Sequence, residues 1–391
     1  MRMFLKPKLV PALITAMATT LAVPAMASRD DDDDSRSAGG NCSRHAELLF
    51  RACMADREDD WLVHKADCIY VTEREDKRSC LADARGEKRD KADECDEVYN
   101  ARLEVCDLVG ERRFDIEFDP EEFVHPDDIG DGVGPNPYFP LTAGHTHVIV
   151  GGGEVTVVTA TDQVRYVGEE PDDDDLVDDD ALPCRVVRDL VFEETVDGVE
   201  VEYDATEVTQ DWYAQHRNGD VIYCGENTYE IEDGLIDNTD GSFANGTDRA
   251  LAGFLVRANP VVGAGDRQEM ASDEAEDIVV YVSLAATPPP AEGGEGMIPC
   301  SGNCLKTFEL NPRDPAVAEF KYYKPGTGFV LAVKIDGDRN PIGEREEVTC
   351  VKNSLADALA DPMGCGIADP EALAEAICLW APTISPLCTG E

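Results

Sequence analysis

The hydrophobic and polar positions follow two different periods along this chain. Residues 41–110 contain no proline and are rich in Ala, Arg, Glu, Lys, Asp and Leu, a composition that favours helix. From 141 to about 352 the pattern becomes one of short alternating runs. Val199, Val201 and Tyr203 alternate with Glu200 and Glu202, as expected of a strand with one buried and one wet face. "CRVVRDLVF", "VIYCGENTYEI", "DIVVYVSLA", "AEFKYYK" and "GFVLAVKI" read the same way. Asp197-Gly198, Asn218-Gly219, Asp233-Gly234 and Asp240-Gly241 mark hairpin turns, where positive φ is required; Pro325-Gly326 is another turn pair. Gly151-Gly152-Gly153 precedes a strand and not a helix, so it reads as a hairpin turn and not as a phosphate loop.

These elements predict an α+β protein: a disulfide-tied helical hairpin at 41–110, a connector at 111–140, an antiparallel β-meander at 141–352 closing into a barrel or curved sheet, and a Cys-rich tail at 353–391. About 210 residues suffice for one such β domain. "EEPDDDDLVDDD" (169–180) and "ATPPPAEGGEG" (286–296) read as solvated excursions from it.

The cysteines sharpen this picture. The gaps between Cys42, Cys53, Cys68, Cys80, Cys95 and Cys106 are palindromic: 11, 15, 12, 15, 11. Eleven residues turn a helix through about 1100°, close to three full turns, so Cys42 shares a face with Cys53 and Cys95 with Cys106. Antiparallel helices then pair Cys42 with Cys106, Cys53 with Cys95 and Cys68 with Cys80. Cys184 and Cys224 lie on predicted strands and should bridge within the sheet, and Cys300 and Cys304 should close a tight loop. Cys350, Cys365, Cys378 and Cys388 should stitch the tail to the domain or to itself, in an order the spacing leaves open. Fourteen cysteines in this arrangement suit an oxidising compartment.

Export is also written at the start of the chain. Arg2, Lys6 and Lys8 precede an apolar stretch and Ala25-Met26-Ala27, a small-x-small cleavage pattern, so residues 1–27 read as a signal peptide. Residues 28–40 follow as an acidic leader. The expected location is secreted or periplasmic, with no membrane span. The whole chain carries 82 acidic against 34 basic residues, net −48, and loss of the three signal cations leaves the mature chain near −51. That charge excludes nucleic acid as a partner and attracts cations. A protein or small molecule is the expected partner.

"NPYFPL" (136–141), "DWYAQ" (211–215), "RQEMASDEAED" (267–277) and "KYYKPGTGFVLAV" (321–333) resemble motifs of a family of secreted, uncharacterised bacterial β-rich proteins. The resemblance spans most of 130–335. It implies an exported β-rich domain and brings no activity or ligand residues with it.

Candidate chemistry is sparse. His145 and His147 would point to the same side of a strand, an arrangement that can offer two imidazoles to copper or zinc if His125, His216 or a carboxylate supplies a third ligand. Two half-exposed polar residues at a strand start are the simpler reading. In "DGDRNPIGEREE" (336–347), Asp336, Asp338, Asn340, Glu344 and Glu347 fall at calcium-ligand positions of an EF-hand-like loop, but Pro341 takes the place of the glycine and the flanks read as strands. An acidic hairpin loop is preferred. Asp127, Asp128 and Asp131 form a similar acidic bend. No nucleophile elbow, zinc-protease motif or phosphate loop is present.

Three functions follow. The preferred one is a non-catalytic binding or interaction protein, with an interior pocket lined by Trp212, Tyr223 or Tyr322 and no convergent titratable groups. The second is a metal protein holding copper or zinc at His145 and His147, or calcium at 336–347. The third is a secreted hydrolase, which needs a buried carboxylate of shifted pKa in a cleft.

Overall fold

The computed structural model describes residues 40–168, 181–198, 200–290 and 298–389, without the side chains of Asp197, Glu200 and Glu344. The expected signal peptide, leader and 169–180 excursion, Val199, and most of 286–296 lie outside the described residues or in part outside them.

The chain opens with two antiparallel helices, α1 (Asn41–Asp67) and α2 (Arg74–Val109). The three expected bridges, Cys42–Cys106, Cys53–Cys95 and Cys68–Cys80, cross between them as a ladder. Phe50 and Tyr99 pack at 4.9 Å between the ring centres.

Among the described residues a single sheet of fifteen strands follows: β1 (Thr146–Gly151), β2 (Glu154–Val167), β3 (Leu182–Asp197), β4 (Glu200–Gln215), β5 (Val221–Glu232), β6 (Leu235–Asn238), β7 (Phe243–Ala244), β8 (Leu251–Val256), β9 (Gly265–Arg267), β10 (Glu269–Met270), β11 (Ile278–Ala286), β12 (Cys304–Leu310), β13 (Glu319–Lys324), β14 (Gly328–Ile335) and β15 (Pro341–Lys352). Neighbours in sequence are mostly neighbours in space, and β1 pairs with β15, so the meander turns back on its own start. At the two ends of the path lie β9 on β11 and β10 on β8. Only Gln268 separates these two short strands. The segment Gly265–Met270 therefore leans on one edge with its first half and on the other with its second, bringing the barrel to near closure. A Cβ on Gly253 of β8 would come within 2.3 Å of the Arg267 carbonyl, so the seam needs a glycine there.

The turns form where expected. Gly152 and Gly153 carry φ of 68° and 93° between β1 and β2, and Asp233 and Gly234 carry 51° and 73° between β5 and β6.

The barrel's apolar side faces outward and is covered. Val148, Val157, Leu190, Phe192 and Val208 pack beneath the tail helices α3 (Leu355–Leu359), α4 (Pro362–Cys365), α5 (Pro370–Trp380) and α6 (Pro386–Thr389). Helix α5 begins at Pro370, is capped by the Asp369 carboxylate, which accepts from Glu371 N and Ala372 N, and lays Leu373 and Ile377 on this face. Cys350–Cys365 fastens β15 to α4, and Cys378–Cys388 closes the tail on itself. On another side α2 supplies Val105, packed with Ile278, Phe308 and Phe320. Arg102 of α2, 4 % exposed, donates from Nε and Nη2 to Glu276, 1 % exposed, at 2.9 and 2.8 Å, and from Nη2 to Asp273 at 2.9 Å. Hairpin, barrel and tail belong to one compact unit. Among the described residues no helix is long and apolar enough to cross a membrane.

Candidate functional site

With the apolar side chains turned out, alternation sends the other set of each strand into the lumen. The result is a cavity of about 950 Å³, within the range of small-molecule sites. Among the described residues its acidic lining residues outnumber its lysines and arginines by fourteen to three. Toward one end the lining is apolar and aromatic, with Phe139, Leu141, Tyr213, Tyr223, Leu255 and Phe329.

That end is assembled from the connector. Asn136 accepts at Oδ1 from Tyr138 N and Phe139 N, at 2.7 and 3.0 Å, which folds "NPYFP" into a tight plug. Its own amide N–H donates to Gln215 Oε1 at 2.9 Å, and Gly326 N donates to Pro137 O at 2.7 Å. Three of the four motif stretches thus interlock at one end of the barrel, and the fourth, 267–277, contributes to its seam.

Beyond the plug the lumen is acidic. Asp211 on β4 and Glu226 on β5 stand directly opposite each other, as do Glu207 and Glu230. A bulge permits the first pairing. Trp212 pairs with Gly225 but Tyr213 pairs with Tyr223, leaving Cys224 as the extra residue, and Gly225 takes φ 148°. Tyr223 and Glu226 therefore both line the lumen, and Cys224 turns outward to its bridge with Cys184. The Tyr223 hydroxyl donates to Asp211 Oδ1 at 2.5 Å, and Thr228 Oγ1 donates to Glu226 Oε2 at 2.6 Å.

Glu269, 4 % exposed, joins this group from the seam, with Asp277 beside it and Asp189 from β3. No hydrogen-bond partner among the described residues reaches Glu269 Oε2, Asp189 Oδ1 or Asp277 Oδ1. Withdrawal from bulk water raises the carboxyls, and like charges raise them further. Burial and the Asp211 charge push Glu226 up to about 8. Burial pushes Asp211 up to about 6 against the hydrogen bonds from Tyr223 and Tyr213. Asp277 rises to about 7, again by burial, with the Lys321 charge pulling the other way. Glu269 and Asp189 lie well above the ordinary carboxylate range, by burial first and by acidic neighbours second.

On β12 and β13 a lysine offsets part of the acidic charge. Lys321 Nζ lies 3.0 Å from Glu309 Oε2 and 3.1 Å from Glu319 Oε1, and Glu309 Oε1 also accepts from Thr307 and Tyr323 at 2.8 and 2.9 Å. Burial alone would lower the Lys321 ammonium, but the two carboxylates hold it well above its usual value.

His145 and His147 also line this cavity, ring centres 4.8 Å apart. Both Nε2 atoms point at one acceptor, the Thr327 carbonyl, at 3.0 and 3.2 Å. Burial and then the His145 charge lower His147 to about 3, and burial lowers His145. Among the described residues neither histidine belongs to a trio of His, Cys or carboxylate ligand atoms close enough to share an ion. The two trios of that kind, His64 with Cys68 and Cys80, and Cys42 with Cys106 and Glu111, use cysteines already joined in disulfides. His125 and His216 sit apart, on Asp127 and Glu122.

Asp336, Asp338 and Asn340 form an exposed turn between β14 and β15, in which Asp336 Oδ1 accepts from Asp338 N and Asn340 N at 3.0 and 2.8 Å. Glu347 lies elsewhere: strand β15 begins at Pro341, and Glu347 pairs across from Leu331, bonded to Arg345 at 2.9 Å.

Of the three aromatics expected to line a pocket, one does so. Tyr223 lines the cavity, but Trp212 and Tyr322 do not. Trp212 is buried on the outer face with Phe123 and the Cys184–Cys224 bridge, the Arg165 guanidinium 3.6 Å from its ring centre. Tyr322 packs on the outside with Phe308 and Phe320. Their strand neighbours Tyr213 and Tyr323 take the inward places. The expected absence of convergent titratable groups also fails, because the lumen is full of them. Asp211, Glu226, Glu269 and Asp277 carry no signal of their own in a chain with 82 acids; the usable signal is the alternation Glu207-x-Thr209-x-Asp211 on one strand face.

No protein-family model and no curated protein sequence matches this chain. One solved structure, a Bacteroides fragilis protein described as having a YmcC-like fold, is 10 % identical, with 55 % of this chain and 98 % of that chain covered at a TM-score of 0.23. A likeness at that level assigns neither fold nor function.

Proposed function

We propose that this is an exported, non-catalytic binding protein whose barrel lumen takes a cationic ligand. The observation that carries the reading is the group Asp189, Asp211, Glu226, Glu269 and Asp277, lining one cavity with three carboxylate oxygens that have no hydrogen-bond partner among the described residues. Burying carboxylates beside one another is costly. A ligand cation entering the lumen would offset that cost and supply the missing donors, as Lys321 does for Glu309 and Glu319. Export is supported by the signal-like start and by seven disulfides that leave no cysteine free.

A second reading draws on one pair. Asp211 near 6 and Glu226 near 8 would stand as an ionised base and a protonated acid at neutral pH, the division of labour of a carboxylate hydrolase. Binding is preferred because the acidic group extends well beyond a pair.

Titration calorimetry of the mature protein with Ca²⁺, Mg²⁺, Cu²⁺, Zn²⁺, an alkylamine and a polyamine tests the proposal. At least one should bind saturably to wild type and lose affinity in Asp211→Asn/Glu226→Gln. No saturable cation, together with hydrolysis of an ester or oligosaccharide that the same variant abolishes, would transfer the assignment to the hydrolase.

A further inference from the structure

We infer that the cation is a linear organic oligoamine, two or more ammonium groups joined by short methylene chains, lying along the β4–β5 wall of the lumen. This rests on the cation-binding reading above and gives it a ligand class.

Three observations separate an oligoamine from a metal ion. First, the lumen's acids extend along the wall beyond the central group of five. The Asp211–Glu226 and Glu207–Glu230 pairs are four residues apart on β4, about 13 Å along a strand. Among the described residues no three of the lumen's His or carboxylate ligand atoms converge closely enough to share one ion. A divalent metal needs several oxygens at one point; a chain of separated ammonium groups needs one or two at each of several points.

Second, the barrel already holds an ammonium group of its own. Lys321 Nζ sits between Glu309 and Glu319 at 3.0 and 3.1 Å, at the end of a four-carbon aliphatic stem. The same donor type fits Glu269, a cavity-lining side chain more than nine-tenths buried whose Oε2 has no hydrogen-bond partner among the described residues.

Third, the acidic group borders on aromatic surface. Tyr213 and Tyr223 stack at 4.7 Å, and Tyr223 donates to Asp211. Methylene segments and ammonium groups are both accommodated against such rings, whereas a hydrated metal ion gains nothing from them. A cavity of about 950 Å³ also far exceeds the needs of a bare ion.

The test is calorimetry and native mass spectrometry of the mature protein with spermidine and, separately, with Ca²⁺, at low and high salt. Variants are Asp211→Asn/Glu226→Gln, Glu269→Gln alone, and Asp59→Asn/Asp60→Asn on exposed α1, a surface control that removes as many carboxyls as the double lumen variant. The expected result is one equivalent of spermidine, retained at high salt where surface attraction is screened. Affinity should fall about tenfold or more in each lumen variant, the scale of one lost charge-assisted bond, and stay unchanged in the surface control. Spermidine binding that high salt abolishes, or that the lumen variants leave intact, would overturn the inference. Saturable Ca²⁺ binding lost in the lumen variants, without spermidine binding, would overturn the oligoamine while sparing the cation reading. Binding of neither, in a panel where no other cation binds, removes both.

Discussion

Asp211 and Glu226 face each other across β4 and β5 inside the barrel, with the Tyr223 hydroxyl on Asp211 and the Thr228 hydroxyl on Glu226. Like charges opposite one another on neighbouring strands are destabilising, and enclosure makes them more so. Asp211→Asn/Glu226→Gln keeps the shapes and the acceptor for Tyr223 but removes both charges. The variant should be more stable than wild type at pH 8, on the order of 2 kcal/mol, read as a higher urea midpoint with unchanged slope. A lower midpoint would mean the pair is compensated in the ligand-free protein.

Stability should fall as pH rises from about 4 to about 8. Asp211, Asp277 and Glu226 have folded-state values near 6, 7 and 8 against ordinary values of 3.8 and 4.5. Between those limits the folded state holds more protons than the unfolded one, so each rise in pH favours unfolding. Below the ordinary values both states are protonated and the difference vanishes. Melting temperatures measured across this range should decline toward alkaline pH and flatten in Asp211→Asn/Glu226→Gln. A profile rising with pH would contradict the raised values.

Arg102→Ala should cost about 3 kcal/mol, because it leaves Glu276 buried and unpaired. The loss should appear where α2 meets the barrel. Limited proteolysis would then release the helical hairpin from a barrel that still resists cleavage. Unchanged protease resistance would show that the apolar contacts of Val105 suffice to hold it.

His145 and His147 direct both Nε2 atoms at the Thr327 carbonyl, and His147 is lowered to about 3. Both rings are therefore neutral N–H donors in the resting protein at neutral pH. Elemental analysis after dialysis should give the same copper and zinc content for wild type and His145→Ala/His147→Ala. One equivalent retained by wild type alone would place a transition metal on their remaining ring nitrogens.

The helical hairpin and its ladder were legible because helix periodicity and cysteine spacing are local. Cys42, Cys53, Cys95 and Cys106 can meet in a palindrome only if two helices run antiparallel. The meander, its turns and the Cys184–Cys224 bridge were legible for the same reason: a period of two and positive-φ dipeptides declare strands and hairpins without reference to distant residues.

What the sequence by itself determined, then, was which residues share a face: Asp211 with Tyr213, Trp212 with the opposite set. Which face becomes the lumen depends on what covers the other one, and that is decided by residues far away in the chain. Leu373 and Ile377 of α5, Val105 of α2 and Phe123 of the connector bury the apolar set from outside, leaving the acids to line the interior. The seam at Gln268, the bulge at Gly225 that turns both Tyr223 and Glu226 inward, and the clustering of five carboxylates arise only when the sheet curls round on itself. The seam and the carboxylate cluster are long-range contacts, and no local period records them.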